Sequence, residues 1–229
     1  KGIMAILALI VLTMACKKSD PINEPDPADK YVLLHTGTVA DFKVEVFADE
    51  NPFVGYNSLK VRIKDSDNKV VDAASVNFST LMTMSTGMNH ASPVEQPGEP
   101  DAEGFFNGAV IFIMPSGMAG SWDVKVNIDN LPGGGHGITT FQPNVVEKDE
   151  KQMLSFISKT DSSKIFLTYI EPATPEVGIN DFEIAIHRKA SMMDFPPMTD
   201  LTVLMEPEMP SMGHGSPNNE DPVHTSIGH

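Results

Sequence analysis

The chain has 229 residues, 41% of them hydrophobic and 21% charged, enough apolar material to bury one large or two ordinary domains. Acidic residues outnumber basic ones 31 to 16, a formal charge of −15, so a phosphate backbone is repelled and nucleic acid is excluded as a partner. A single cysteine forbids an intramolecular disulfide and any cysteine-based zinc or iron–sulfur cluster, while 14 Met, 18 Pro and 17 Gly suit short strands and turns better than long helices.

Residues 3–15 are apolar apart from Thr13, follow a lysine, and end on Ala15 just before Cys16. As a helix this run reaches roughly 20 Å, short of the ~30 Å hydrocarbon layer, so it reads as a signal-peptide core rather than a permanent span. Leu12-Thr13-Met14-Ala15-Cys16 resembles a bacterial lipobox, with Thr13 where that motif usually has Leu. The resemblance implies a lipoprotein signal over 1–16 and a diacylglycerol on Cys16; the competing reading is an ordinary buried cysteine behind a secretory signal. Residues 17–29, with Lys17, Lys18 and three prolines among acidic side chains, cannot fold alone and read as a disordered tether. The chain does not begin with Met, which points to a partial gene product.

Beyond the tether the sequence repeats itself. Pro52-x-x-Gly55-x-Asn57 recurs as Pro175-x-x-Gly178-x-Asn180, an offset of 123. Phe42, Val44 and Val46 align with Ile165, Leu167 and Tyr169 before the motif, and Leu59, Val61 and Ile63 align with Phe182, Ile184 and Ile186 after it. Leu81-Met82 pairs with Leu204-Met205 at the same offset, and Met88-x-His90-x-Ser92-Pro93 pairs with Met212-x-His214-x-Ser216-Pro217 at 124. These matches predict a tandem duplication: a first unit over 30–146, a linker over 147–152 and a second unit over 153–229.

Period-two alternation and turn residues place seven strands in the first unit, over 31–35, 41–48, 57–64, 75–82, 105–114, 121–128 and 138–146. No window sustains a helical period. The expected fold is all-β, two tandem immunoglobulin-like antiparallel sandwiches. Transposed by 123, residues 105–146 would fall at about 229–269, so the second sandwich is expected to be truncated by roughly three strands, leaving Phe182, Ile184 and Ile186 poorly covered. Trp122 reads as a core anchor.

Soft donors gather in two places: Met82, Met84, Met88 and His90 in the first unit, and Met205, Met209, Met212 and His214 in the second, followed by His224 and His229. Thioethers and imidazoles hold Cu(I) without an oxidisable thiolate. Met82 and Met205 continue alternating strands and read as core. The remaining Met84, Met88, His90, Met209, Met212, His214 and His224 fall in Pro, Gly and Ser-rich loops and are the candidate copper ligands. An exposed methionine patch that docks a protein is the competing reading.

Together with these loops, the repeated Pro-x-x-Gly-x-Asn, Gly104-x-x-x-Gly108-x-Val110-x-Phe112-x-Met114 and Gly120-Ser121-Trp122 resemble the YtkA-like domain, related to FixH-type modules. The likeness covers 30–146 fully and 153–229 in part. It implies a small sandwich outside the cytoplasm, associated with copper or heavy-metal handling and without catalytic machinery.

Enzymatic signatures are missing. Gly133-Gly134-Gly135-His136-Gly137 lacks the Lys-Ser/Thr and the helix of a phosphate loop, and no Gly-x-Ser-x-Gly elbow occurs. His35 and His187 read as strand residues, and Glu147, Asp149 and Glu150 as a solvated linker. The sequence therefore predicts a non-enzymatic module of the bacterial envelope, periplasmic or facing out from the outer membrane. The membrane is its partner through the lipid, and a copper-handling envelope protein is the expected recipient or donor of the metal. A non-metal adhesion or scaffold protein is the alternative.

Overall fold

The computed structural model describes residues 25–216 and 218–225. The signal core, Cys16, Pro217 and His229 lie outside the described residues.

A short 3-10 turn, η1 (Pro27–Lys30), leads into nine strands: β1 (Val32–Val39), β2 (Phe42–Ala48), β3 (Gly55–Lys64), β4 (Ser75–Met84), β5 (Asn89–His90), β6 (Val94–Glu95), β7 (Phe105–Phe112), β8 (Gly120–Leu131) and β9 (Gly135–Phe141). They form two antiparallel sheets, ordered β1-β2-β3-β7-β6 and β5-β4-β8-β9. The inner faces interdigitate, with Val44, Val46, Leu59, Val61 and Phe106 of one sheet buried with Val76, Phe78, Trp122, Val124 and Val126 of the other. All seven expected strands are present, and β5 and β6, two residues each, are additional. The Trp122 indole is fully buried and donates from Nε1 to the Met114 carbonyl at 2.9 Å, the core anchor its strand position implied.

The end of the expected tether is docked rather than free. Asp26 caps η1 by accepting from Ala28 N at 2.9 Å and pairs with the buried Arg62, which also reaches Glu45 at 3.1 Å. Ala28 is buried against Phe47 and Phe105, and the Arg62 guanidinium lies 5.3 and 5.2 Å from those two rings. The Arg62 hydrogen bond, followed by that from Ala28 N–H, draws the Asp26 carboxyl down to about 2.

The second unit has fewer strands than the first, as expected, and is reduced further. Among the described residues it forms one three-stranded antiparallel sheet, β10 (Met153–Ile157), β11 (Lys164–Glu171) and β12 (Glu183–Lys189), and a hairpin of β13 (Glu208–Met209) and β14 (His214–Gly215). The duplication itself is visible in the register. Val44 faces Ile63 and Val46 faces Val61 in β2–β3; Leu167 faces Ile186 and Tyr169 faces Ile184 in β11–β12, each residue displaced by 123. The repeated motif also folds alike. Asn57 accepts from Phe53 N and donates to Phe53 O and Gly55 O, and Asn180 accepts from Glu176 N and donates to Glu176 O and Gly178 O. Gly55 and Gly178 both have φ 138°, a conformation that disfavours a Cβ.

Residues 201–205, the counterpart of part of β4, are not a strand. In the first unit β4 pairs with β8 from Ser75 to Met84, and among the described residues no strand offers 201–207 such a ladder. Alternation without a partner leaves backbone groups to water, and the segment stays irregular. One face of the β10–β12 sheet instead meets the first unit, where Phe166 and Phe195 pack on Ala91. The other face, with Ile165, Ile184 and Ile186, is covered in part by Met198 and Val203. Phe182 is 42% exposed, whereas its counterpart Leu59 is 1% exposed; Ile184 and Ile186, expected to be poorly covered as well, are instead buried.

Candidate metal site on the first hairpin

Gly87 N donates to Met84 O, and Met84 N to Met88 O, both at 2.9 Å, so the chain turns sharply after β4 and returns as β5. The return sets Met82 opposite His90 and Thr83 opposite Asn89. On its other side Met82 faces Trp122 of β8. Directly paired residues share a face, so His90, Met82 and Trp122 form a row across three strands inside the sandwich. Met84, two residues beyond Met82, lies on that face, half-buried against the core. Met88 stands at the turn and is 54% exposed.

This geometry corrects the loop assignment. Met84 is the last residue of β4, and His90 is a strand residue only 3% exposed. The fold also brings in Met82, which alternation alone marked as core: it is fully buried and yet faces the imidazole. The turn at Thr86-Gly87 between two Met-x-Met/His spacings was the sequence signal for that juxtaposition. Gly120 lets β8 approach the end of β4, since a Cβ there would lie 2.3 Å from Thr83 O.

His90 is held in one orientation. Its Nδ1 is 2.8 Å from the Ala91 carbonyl and its ring meets Trp122 edge to face, with centroids 5.2 Å apart. A carbonyl only accepts, so Nδ1 carries a proton and donates, and in that tautomer the ring's lone pair lies on Nε2. That Nε2 is buried and has no hydrogen-bond partner among the described residues. An unsatisfied buried acceptor costs about 1–3 kcal/mol, so its retention calls for a reason.

The second hairpin is an exposed relative of the first. Met209 faces His214, Met212 N and Gly213 N both donate to Met209 O at 3.0 Å, and His214 Nδ1 is 2.9 Å from the Gly215 carbonyl. Here Met209, Met212 and His214 are all exposed, Met212 by 67%. His224 is exposed and has no hydrogen bond to either hairpin among the described residues. Met205 is half-buried, and its N–H donates to Asp221 at 3.1 Å.

His35 serves the fold. His35 Nε2 is 2.7 Å from Thr139 Oγ1 and its ring stacks on Phe141, joining β1 to β9 across the sandwich. Burial holds its imidazole below the ordinary range. A cleft of about 780 Å³ lies away from both hairpins, between the Phe53 loop and the Pro172 loop, lined by Tyr56, Asn57, Lys148, Tyr169 and Glu171 among others. At its edge Tyr56 donates to Glu95 at 2.7 Å, and burial, then the Glu95 charge, push the phenol up.

Among the described residues no three histidine, cysteine or carboxylate side chains gather as a metal site. An ion at the first hairpin would therefore rest on thioethers and one imidazole. The family model of YtkA-like domains matches residues 36–127, a span that runs from β1 into β8 and includes the whole first hairpin. Over residues 36–127 the first sandwich is similar to YtkA-like domains. No curated protein and no solved structure matches the chain. The YtkA-like match is compatible with an extracytoplasmic location, and no helix among the described residues is long and apolar enough to cross a membrane.

Proposed function

We propose that this protein holds Cu(I) outside the cytoplasm, on the inner face of the β4–β5 hairpin, while a lipid on Cys16 keeps it at the membrane. One observation carries the reading: His90 Nε2 is buried and unpartnered while Nδ1 is fixed on the Ala91 carbonyl. Metal-bound histidines characteristically anchor the second ring nitrogen in this way, which sets the tautomer and frees the ligating lone pair. The donors around it suit a soft monovalent ion. Met82 and Met84 supply thioethers from the buried side, Met88 supplies one from the solvent side, and no carboxylate occupies the hairpin. The Trp122 ring beside the imidazole adds an aromatic surface that favours a cation. In this reading the protein turns over no substrate, and its role is to keep or pass the ion.

The test is an anaerobic titration of Cu(I) against a competing chelator. Met82→Leu, Met84→Leu and Met88→Leu keep side-chain volume while deleting sulfur, and each should change stability by under about 1.5 kcal/mol. Wild-type binding should be tight, weaken with each leucine and weaken most with His90→Ala. Binding unchanged in a variant lacking all four side chains would refute it. Lipidation is tested separately by labelling the precursor and Cys16→Ala with a radiolabelled fatty acid; equal incorporation would exclude the anchor.

A further inference from the structure

The two histidines that the duplication aligns carry the same clamp with opposite exposure, on hairpins of different register. His90 and His214 each place Nδ1 within 2.9 Å of the next residue's carbonyl and each has a methionine two residues upstream; across the hairpin His90 faces Met82 and His214 faces Met209, while the counterpart of Met82, Met205, lies outside the second hairpin. Yet His90 is 3% exposed and sealed by Met82 and Trp122, whereas His214, Met209 and Met212 face solvent. The difference follows from pairing. The first hairpin extends β4, which is zipped to β8 along its whole length; the second extends 201–207, which is not a strand.

The first hairpin is also held from outside. Ala91 N donates to Met192 O at 2.8 Å, and Ala91 is buried among Phe166 and Phe195 of the second unit. A two-residue strand at a sheet edge frays readily, and this contact fastens β5 on its free side. The second unit thus locks the hairpin of the first while leaving its own open.

We propose that the two hairpins divide the work of one carrier: the His90 hairpin retains Cu(I), and the His214 hairpin exchanges it with other molecules. The inference rests on the reading of the first hairpin as a Cu(I) site and adds a second site with a different rate. Release from the closed hairpin requires local opening of β5, whereas release from the open one requires only the loss of exposed ligands. A rate difference on the order of 100-fold is expected, because local opening free energies run from near zero at exposed segments to several kcal/mol in packed strands.

The experiment loads the full chain with two equivalents of Cu(I) under anaerobic conditions and follows transfer to excess bathocuproine disulfonate by stopped flow. Two phases of equal amplitude are expected. Substituting Met209→Leu, Met212→Leu and His214→Ala together should remove the fast phase only. Met82→Leu with Met84→Leu, which preserves packing, should abolish or accelerate the slow phase only. Phe195→Ala should accelerate the slow phase at least several-fold with the fast phase unchanged, because it frees β5 without touching a donor. A single phase, or a slow phase that disappears with the His214 hairpin, would overturn the division of work while leaving Cu(I) binding intact. Absence of any Cu(I) uptake would overturn the Cu(I) reading itself, and with it this inference.

Discussion

Replacing Asn57 and Asn180 with alanine, one at a time, measures what burial does to a duplicated motif. Asn57 is 4% exposed and makes three side-chain bonds, from Phe53 N at 2.9 Å and to Phe53 O and Gly55 O at 2.8 Å each. Alanine leaves one buried N–H and two buried carbonyls without that partner. Unsatisfied buried groups cost about 1–3 kcal/mol apiece, and partial relaxation brings the sum to about 3 kcal/mol. In a chain of this size that is a fall of roughly 6–12 °C in Tm. Asn180 makes the same three bonds on an exposed loop, where water replaces the amide, so its loss should stay below about 1 kcal/mol. Urea denaturation followed by tryptophan fluorescence and by circular dichroism gives both numbers. Equal losses, or a loss under about 1 kcal/mol for Asn57→Ala, would refute the argument that the motif is an interior clamp in one unit and a surface turn in the other.

Other perturbations have definite signs. Gly120→Ala should destabilise by about 2 kcal/mol or more and displace the end of β4, since φ is +148° and the added Cβ would meet Thr83 O at 2.3 Å; an NMR spectrum unchanged around Met84 would contradict this. Asp26 has its carboxyl drawn from 3.8 down to about 2, so its contribution is complete above about pH 4 and disappears as pH falls through 2. Chemical shifts of Ala28 should accordingly report a docked η1 at pH 4 and a released one near pH 2, and Asp26→Asn should loosen η1 at neutral pH. His35 is depressed by burial below 6.5, so the unfolded chain takes up a proton that the folded one resists, and stability falls as pH drops below about 6.5. His35→Gln should flatten the difference between urea midpoints at pH 7 and pH 5; an undiminished difference would assign it to other groups.

Much of the fold was legible because alternation and pairing agree. Val44, Val46, Leu59, Val61 and Ile63 alternate in the sequence and are buried in the structure, and the 123-residue offset that aligns them with the second unit also relates the β2–β3 register to that of β11–β12. Local pattern misled where a strand needs a distant partner. Leu201, Val203 and Met205 alternate as β4 does, but among the described residues no strand pairs with them, and the second unit forms a three-stranded sheet and a short hairpin. The site was legible in composition and not in placement. Met84, Met88 and His90 were singled out for their donor atoms, while Met82 was read as core because its strand periodicity was perfect. Burial and ligation are not alternatives at that position, since the turn at Gly87 folds His90 back over it. The His90 clamp depends on one side-chain rotamer and one carbonyl, which no spacing rule encodes.

If the lone pair of His90 Nε2 is kept for a soft cation, nitrogen-15 NMR of the histidine side chains will register the ion at that atom. Spectra of the full chain are recorded anaerobically before and after addition of Cu(I), with His90→Ala used to assign the resonances. His90 Nε2 should move to the shift of a metal-bound nitrogen while Nδ1 keeps its proton and its bond to the Ala91 carbonyl. A His90 spectrum unaltered while Cu(I) is bound would contradict it.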